Sequence, residues 1–380
     1  MGRGEQREMM ARLGDIATYV NGYAFNPSDW SDTGLPIIRI QDLTGNAYQA
    51  NRYNGEYDKK YEVNAGDILI SWSASLGVYV WGGEKAVLNQ HIFKVVFDKA
   101  EINKSFFVHQ VQNILENAAS QAHGATMKHL TKPVFDALPF YLPSMKDQHY
   151  IASILDKVGN LISLRKQQLA KLDELVKARF VEMFGEIMET VPLCHYVNAL
   201  IAGKSLAGEK ECPNKVLKTG AATYDSFDPT QVKNLPLDYV PQPEHLLKTG
   251  DVIISRMNTL ELVGAAAYVW EAPSNTYLPD RLWRAELHND AQPIFVWQML
   301  IQATTKESIR RIASGTSGSM KNISKSDLLG IQVKKVDFEN QKNFSTLVTQ
   351  IYRKKLTIQQ SLDKLEVLKK SLMQKYFGGV

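Results

Sequence analysis

The 380-residue chain holds a few patterns whose residue types could do chemistry. AGKSLAG (202–208) contains Gly-Lys-Ser, the close of a phosphate loop whose amides cradle phosphate while the Lys reaches its oxygens. That loop needs glycine at position 198, and the chain has Asn198. NPSDW (26–30) approaches the Asn-Pro-Pro-aromatic motif of amino-methyltransferases, but Ser28 replaces the second proline and no Gly-x-Gly cofactor loop follows a strand. The sequence has no Gly-x-Ser-x-Gly elbow and no His-Glu-x-x-His pair. Cys194 and Cys212 are too few for a disulfide framework and lack partners at zinc-ligand spacing, so they read as ordinary thiols. The eight histidines are scattered, and His91, in LNQHIFKV at the start of a strand, reads as structural or hydrogen-bonding rather than as a base. Binding is therefore the better expectation than catalysis, with no metal and no cofactor held by this chain.

The residue types that remain suit nucleic acid. GATMKHLTK (124–132) and SGSMKNISK (317–325) repeat one phrase, with Met127 and Met320 193 residues apart. A glycine-rich run exposes amides, and the Lys beside it can meet a phosphate, which makes Lys128, Lys132, Lys321 and Lys325 phosphate candidates. The plainer reading is that these lysines cap and solubilise a joint. Base edges are read by Arg, Gln, Asn, Ser or Thr on loops. After strands, the first half offers Arg39, Gln41, Ser73, Asn89 and Gln90, and the second offers Thr223, Arg256, Asn258, Arg281 and Arg284. Trp72 and Trp283 read as core.

The elements that must position these residues are themselves duplicated. AGDILISW (65–72) matches TGDVIISR (249–256), and residues 148–185 align without a gap on 341–378, both opening with Gln and closing with Phe-Gly. In the first helix Ile151, Leu155, Val158, Ile162, Leu169, Leu172 and Val176 follow a 3–4 spacing. In the second, Val348, Ile351, Ile358, Leu362, Leu365, Leu368 and Leu372 do the same. A narrow seam of this length predicts pairing of coiled-coil type, and duplication with pseudo-two-fold symmetry makes the pair antiparallel, each helix ~55 Å long. Strands are expected at GDILISW, VYVWGG, HIFKVVF, GDVIISR and GAAAYVW, and single helices over 104–122 and 293–314. The expected fold class is mixed α/β, with target-binding domains at 1–147 and 186–340 and spacer helices at 148–185 and 341–380.

Net charge is +4, yet the two helical stretches alone carry +8, so the rest of the chain is mildly acidic. DNA contacts would come from local patches or be shared with a partner. MGRGEQREMM has no apolar leader and no run of about 20 apolar residues follows, so no signal peptide, no membrane span and a cytoplasmic setting are expected.

A bacterial genome offers roughly 10⁶ competing sites. Rejecting them needs about 8 kcal/mol, against ~1–3 kcal/mol for each good base contact. Two domains on a stiff spacer reach this where one falls short, which points to a split target with an unread gap. With that, the chain resembles the specificity subunits of type I restriction-modification systems. The resemblance rests on the openings RLGDIATYVNGYAF and VPLCHYVNALIAG, on GDILIS and GDVIIS, and on the Met-Lys phrases with their repeated helices. It implies two target-recognition domains reading a bipartite double-stranded DNA sequence. It also implies paired helices that dock two methyltransferase subunits, and restriction/translocase subunits, with S-adenosylmethionine and ATP on those partners and no catalysis here. A stand-alone DNA-binding regulator is the alternative.

Overall fold

The repeated strand takes the same place in two separate sheets. Ile68–Ser71 lies between Ile92–Val96 and Gly77–Val80, with Thr18–Asn21 at the far edge, all antiparallel. Val252–Ser255 lies between Leu282–Leu287 and Ala266–Tyr268, with Val197–Ala202 at the edge, in the same order and sense. Both repeated strands are buried on both faces, which is why they read as unbroken apolar runs rather than as alternation. The Gly-Asp before each is a turn. Gly66 and Gly250 adopt φ of 90° and 96°, a region that glycine enters without strain. The carboxylates of Asp67 and Asp251 accept the N–H of Asn64 and Lys248 at 2.9 and 2.8 Å.

The computed structural model describes residues 9–46, 51–73, 75–121, 131–315 and 320–378, with side chains left aside at 119–121. It divides into an N-terminal unit, Met1–Gln167 with Gln360–Val380, and a C-terminal unit, Gln168–Gln359. Each is mixed α/β. In the N-terminal unit a parallel pair, Leu35–Ile38 and Ala86–Leu88, is flanked by Arg52–Tyr53 and Glu62–Val63. In the C-terminal unit the parallel pair is Lys215–Leu217 with Thr276–Tyr277, flanked by Val232–Asn234.

The expected helix 104–122 is found at Lys104–Gln121. The expected helix 293–314 is two, Pro293–Leu300 and Ala303–Ile312. Between them Gln302 is extended, and its side-chain amide donates to the Gln298 carbonyl at 2.9 Å. That bond satisfies the ending helix, and the β-branched residues Ile301, Thr304 and Thr305 around the break favour continuation least.

The two repeated helices run Met145–Phe184 and Phe338–Phe377, 40 residues each. Each belongs half to one unit and half to the other. Within the N-terminal unit, Lys166 pairs with Glu366 at 2.9 Å, and Phe377 shares a core with Ile151 and Leu155. Within the C-terminal unit, Lys355 pairs with Asp173, and Phe180 meets Phe344 with ring centres 5.5 Å apart. In both, residue numbers rise on one helix as they fall on the other, so the pairing is antiparallel.

A Gln in the first turn of each helix is a buried joint. Gln148 accepts the Asn103 N–H at 2.8 Å and donates to the Pro143 carbonyl at 2.9 Å. Gln341 accepts the Gln292 N–H at 3.0 Å and donates to the Val336 carbonyl at 2.8 Å. Each therefore fastens the long helix to the start of its unit's other helix. Leucine at 341 would remove the side-chain acceptor of the half-buried Gln292 N–H and the nearer donor to the buried Val336 carbonyl, at about 1–3 kcal/mol each. We expect Gln341→Leu to lower the stability of the C-terminal unit by about 2–4 kcal/mol, read by denaturant-dependent hydrogen exchange. A loss under 0.5 kcal/mol would rule this joint out.

Candidate nucleic-acid interface

In the C-terminal unit, loops at one end of the sheets converge. Arg256 follows Val252–Ser255 and Arg281 precedes Leu282–Leu287, and the Arg256 N–H donates to the Arg281 carbonyl at 3.0 Å. Met257–Asn258 pairs antiparallel with Lys321–Asn322, so the second Met-Lys phrase folds against this loop. Thr223 ends the turn Thr219–Ala222, its hydroxyl donating to the Thr219 carbonyl at 3.1 Å. Thr219, Thr223, Met257, Asn258, Arg281 and Met320 line a cleft of about 310 Å³. Thr223, Asn258 and Arg281, chosen from sequence, thus share one cleft, with Arg256 adjoining it.

The three arginines differ in what holds them. Arg281 is exposed, and its guanidinium has no partner among the described residues. Arg256 lies 5.8 Å from the centre of the buried Trp283 ring and donates from Nε to Asn322 Oδ1 at 3.3 Å. Arg284 is drawn inward: it donates to the Leu246 and Glu244 carbonyls at 3.1 and 2.9 Å and lies 3.8 Å from Asp251. Burial pushes the Asp251 carboxyl up, against the Lys248 N–H and Arg284, which pull it down. In the N-terminal unit Lys94 does the same work, donating to the Glu62 carbonyl at 2.6 Å. Glu62 stands before the Gly66-Asp67 turn as Leu246 stands before Gly250-Asp251.

Of the phosphate candidates, Lys321 donates to the Gly315 carbonyl at 2.7 Å. Lys325 is exposed and opens the helix Lys325–Gly330 behind Ser324, whose hydroxyl accepts the Asp327 N–H at 3.0 Å. Lys132 is paired with Asp136 at 2.7 Å. Lys128 lies outside the described residues.

In the N-terminal unit the nominated residues also gather at one end of the strands. Arg39 follows Leu35–Ile38, its guanidinium 5.4 Å from the Trp30 ring centre and its Nε 3.9 Å from Asp42. Gln41 lies in the short helix Ile40–Leu43. The Asn89 N–H donates to the Ile38 carbonyl at 3.1 Å and the Gln90 N–H to the Tyr23 carbonyl at 2.8 Å, which ties these loops together. Ser73 is buried, and its carbonyl accepts the Ser71 hydroxyl at 3.2 Å. Trp72, expected in the core, is half-buried and stacks on Phe93 at 5.6 Å. Among the described residues no group of three or more His, Cys, Asp or Glu could hold a metal, and no helix is long and apolar enough to cross a membrane.

Residues 7–174 match the type I restriction modification DNA specificity domain. The N-terminal part of the chain is similar to a type I specificity domain. The chain is similar to the EcoBI specificity subunit of Escherichia coli, 28% identical over 168 residues, covering 43% of this chain and 35% of that protein. It is 26% identical to the MjaVIII specificity subunit of Methanocaldococcus jannaschii over 272 residues, 65% of this chain and 63% of that one. With the EcoKI specificity subunit of Escherichia coli K12 it is 21% identical over 428 aligned residues, 98% of this chain and 88% of that one. The chain thus spans about a third of the first relative and under two thirds of the second. Its fold is that of the S subunit from M. genitalium, with a TM-score of 0.60 at 15% identity, covering 96% and 95% of the two chains. A chain from a structure of the type I R-M system gives 0.55 at 14% identity, covering 97% of each.

The seam between the two long helices is filled unevenly. Ile151, Leu155, Val158, Val176, Val348, Ile351 and Leu362 are buried, and Ile162, Leu169, Leu172, Ile358, Leu365 and Leu372 are half-buried. Leu368 is 44% exposed. Trp72 and His91, which stand at the places of Arg256 and Arg281, were not among the nominated base readers. Aligning LNQHIFK (88–94) on LPDRLWR (278–284) sets His91 opposite Arg281, and the match of AGDILISW to TGDVIISR sets Trp72 opposite Arg256, because these segments belong to equivalent strands.

Proposed function

We propose that this chain is the DNA-recognising specificity subunit of a type I restriction-modification complex. Two recognition domains, 1–147 and 186–340, each read one block of a bipartite double-stranded target with a fixed unread gap. The helices 148–185 and 341–380 act as spacer and as the docking surface for two methyltransferase subunits, and through them for restriction/translocase subunits. S-adenosylmethionine and ATP chemistry belongs to those partners. The observation that supports this reading is that side chains of base-reading type gather at one end of the strands in each of two units of one topology. Arg281, exposed in a cleft with Thr223 and Asn258, has the donor fork that base edges in a major groove accept.

The test is a methylome. The chain is expressed with its neighbouring methyltransferase in a methylation-free host, and modified bases are mapped on single molecules. A bipartite motif with a fixed gap, lost when this chain is omitted, is the expected result. Methylation independent of the chain, or none with an active partner, would leave a lone DNA-binding regulator as the better reading.

A further inference from the structure

We propose that His91 is a base-reading residue of the N-terminal unit, holding there the position that Arg281 holds in the C-terminal unit. The proposal rests on the DNA-reading function above. Its support is a set of bonds made twice. The Trp72 N–H donates to the His91 carbonyl at 3.3 Å, as the Arg256 N–H does to that of Arg281 at 3.0 Å. The Ser71 hydroxyl donates to the Ser73 carbonyl at 3.2 Å, as the Ser255 hydroxyl does to that of Met257 at 3.4 Å. Lys94 and Arg284, three residues beyond His91 and Arg281, tie to matching carbonyls. These bonds equate Trp72 with Arg256 and His91 with Arg281.

The side chains follow the backbone. The Trp72 indole lies over Phe93, stacked at 21° between planes, where the Arg256 guanidinium lies over Trp283. A flat group rests on an aromatic ring at the same two positions in both units. The indole is held by its Nε1–H on Asn21 Oδ1 at 3.2 Å, and the His91 ring packs edge-on against it with centres 5.0 Å apart. His91 has φ of 73°, a region that non-glycine residues seldom enter and that clusters at functional sites.

The exchange changes the chemistry offered. A guanidinium only donates, and its fork fits the O6 and N7 acceptors of guanine. An imidazole donates at one ring nitrogen and accepts at the other when neutral. The half-site met by the C-terminal unit therefore carries guanine opposite Arg281. The matching base of the other half-site is read through one imidazole bond, with Asn89 and Gln90 alongside.

The test selects duplexes from a randomised double-stranded DNA library with the full chain in complex with its methyltransferase. His91→Gly removes the ring and suits the backbone at φ 73°. It should flatten the preference at one base pair of one half-site by about tenfold, roughly the worth of one good base contact, and leave the other half-site unchanged. Arg281→Ala should flatten one base pair of the other half-site. His91→Asn, which also tolerates this backbone, must shift the same pair as His91→Gly and guards against a folding defect. Unchanged preference in either His91 variant, or flattening of the half-site that Arg281→Ala flattens, overturns the assignment while leaving the function. A wild-type complex that enriches no sequence overturns the function and the assignment together.

Discussion

Phe377→Ala should destabilise the N-terminal unit and spare the C-terminal one, although only three residues follow Phe377 in the sequence. Its ring is fully buried and lies 5.5 Å from Phe106, in a core built with Leu13, Phe140, Ile151 and Leu155. Truncating a buried Phe to Ala costs about 3–5 kcal/mol, a large share of the ~5–15 kcal/mol that holds a domain folded. Phe184, which closes the other repeated helix, packs 5.4 Å from Phe295 in the C-terminal unit. Phe106 and Phe295 stand at matching places, each three residues after the backbone N–H that Gln148 or Gln341 accepts. One contact is thus made twice, each time by the end of a helix that began in the other unit. Hydrogen exchange with mass spectrometry should show amides around Phe106 and Val111 losing protection worth about 3–5 kcal/mol in Phe377→Ala, and those around Phe295 unchanged. Phe184→Ala should reverse the pattern. Equal loss in both units would mean that the units do not respond separately.

Arg281→Ala should relax base preference at one position of one half-site by about 5–150-fold, the equivalent of about 1–3 kcal/mol for a bidentate base contact. It is the nominated arginine that is exposed and unpartnered among the described residues. Arg256→Ala should act on the same half-site, and should also loosen Asn322 and the strand that carries Lys321. Arg284→Lys supplies the contrast. Lys94 already makes the equivalent bond in the N-terminal unit, so a lysine at 284 should leave base preference unchanged. Selection from a randomised duplex library with each variant decides the matter. Altered preference in Arg284→Lys, or none in Arg281→Ala, would reverse these roles.

Much of this was legible before any coordinates. The 3–4 spacing over 40 residues requires long helices with one apolar stripe, because 3.6 residues make a turn. The match of GDILIS to GDVIIS marked two sheets of one plan, and the glycine in each is needed for a backbone that other residues enter only with strain. The choice of Thr223, Asn258 and Arg281 followed from residue type and from loops after strands, and all three line one cleft. The sequence by itself therefore determined the duplication, the classes of element and the kind of side chain that could meet a base.

Tertiary structure decided the partners. The Phe-Gly close of each repeat marks Phe377 as the apolar end of a helix but carries no information about which core receives it, and the Phe106 it meets lies far upstream. Arg281 and Arg284 are three residues apart and alike in type. One stands in a loop and the other on a strand whose pleat turns it to the carbonyls of Glu244 and Leu246. The Met-Lys phrase reads as a joint, yet Lys321–Asn322 is also a strand closed on Met257–Asn258. In each case the deciding interaction is a pairing between distant segments. Local propensity does not encode such pairings, because they form only when burial and hydrogen bonding across the whole unit are satisfied at once.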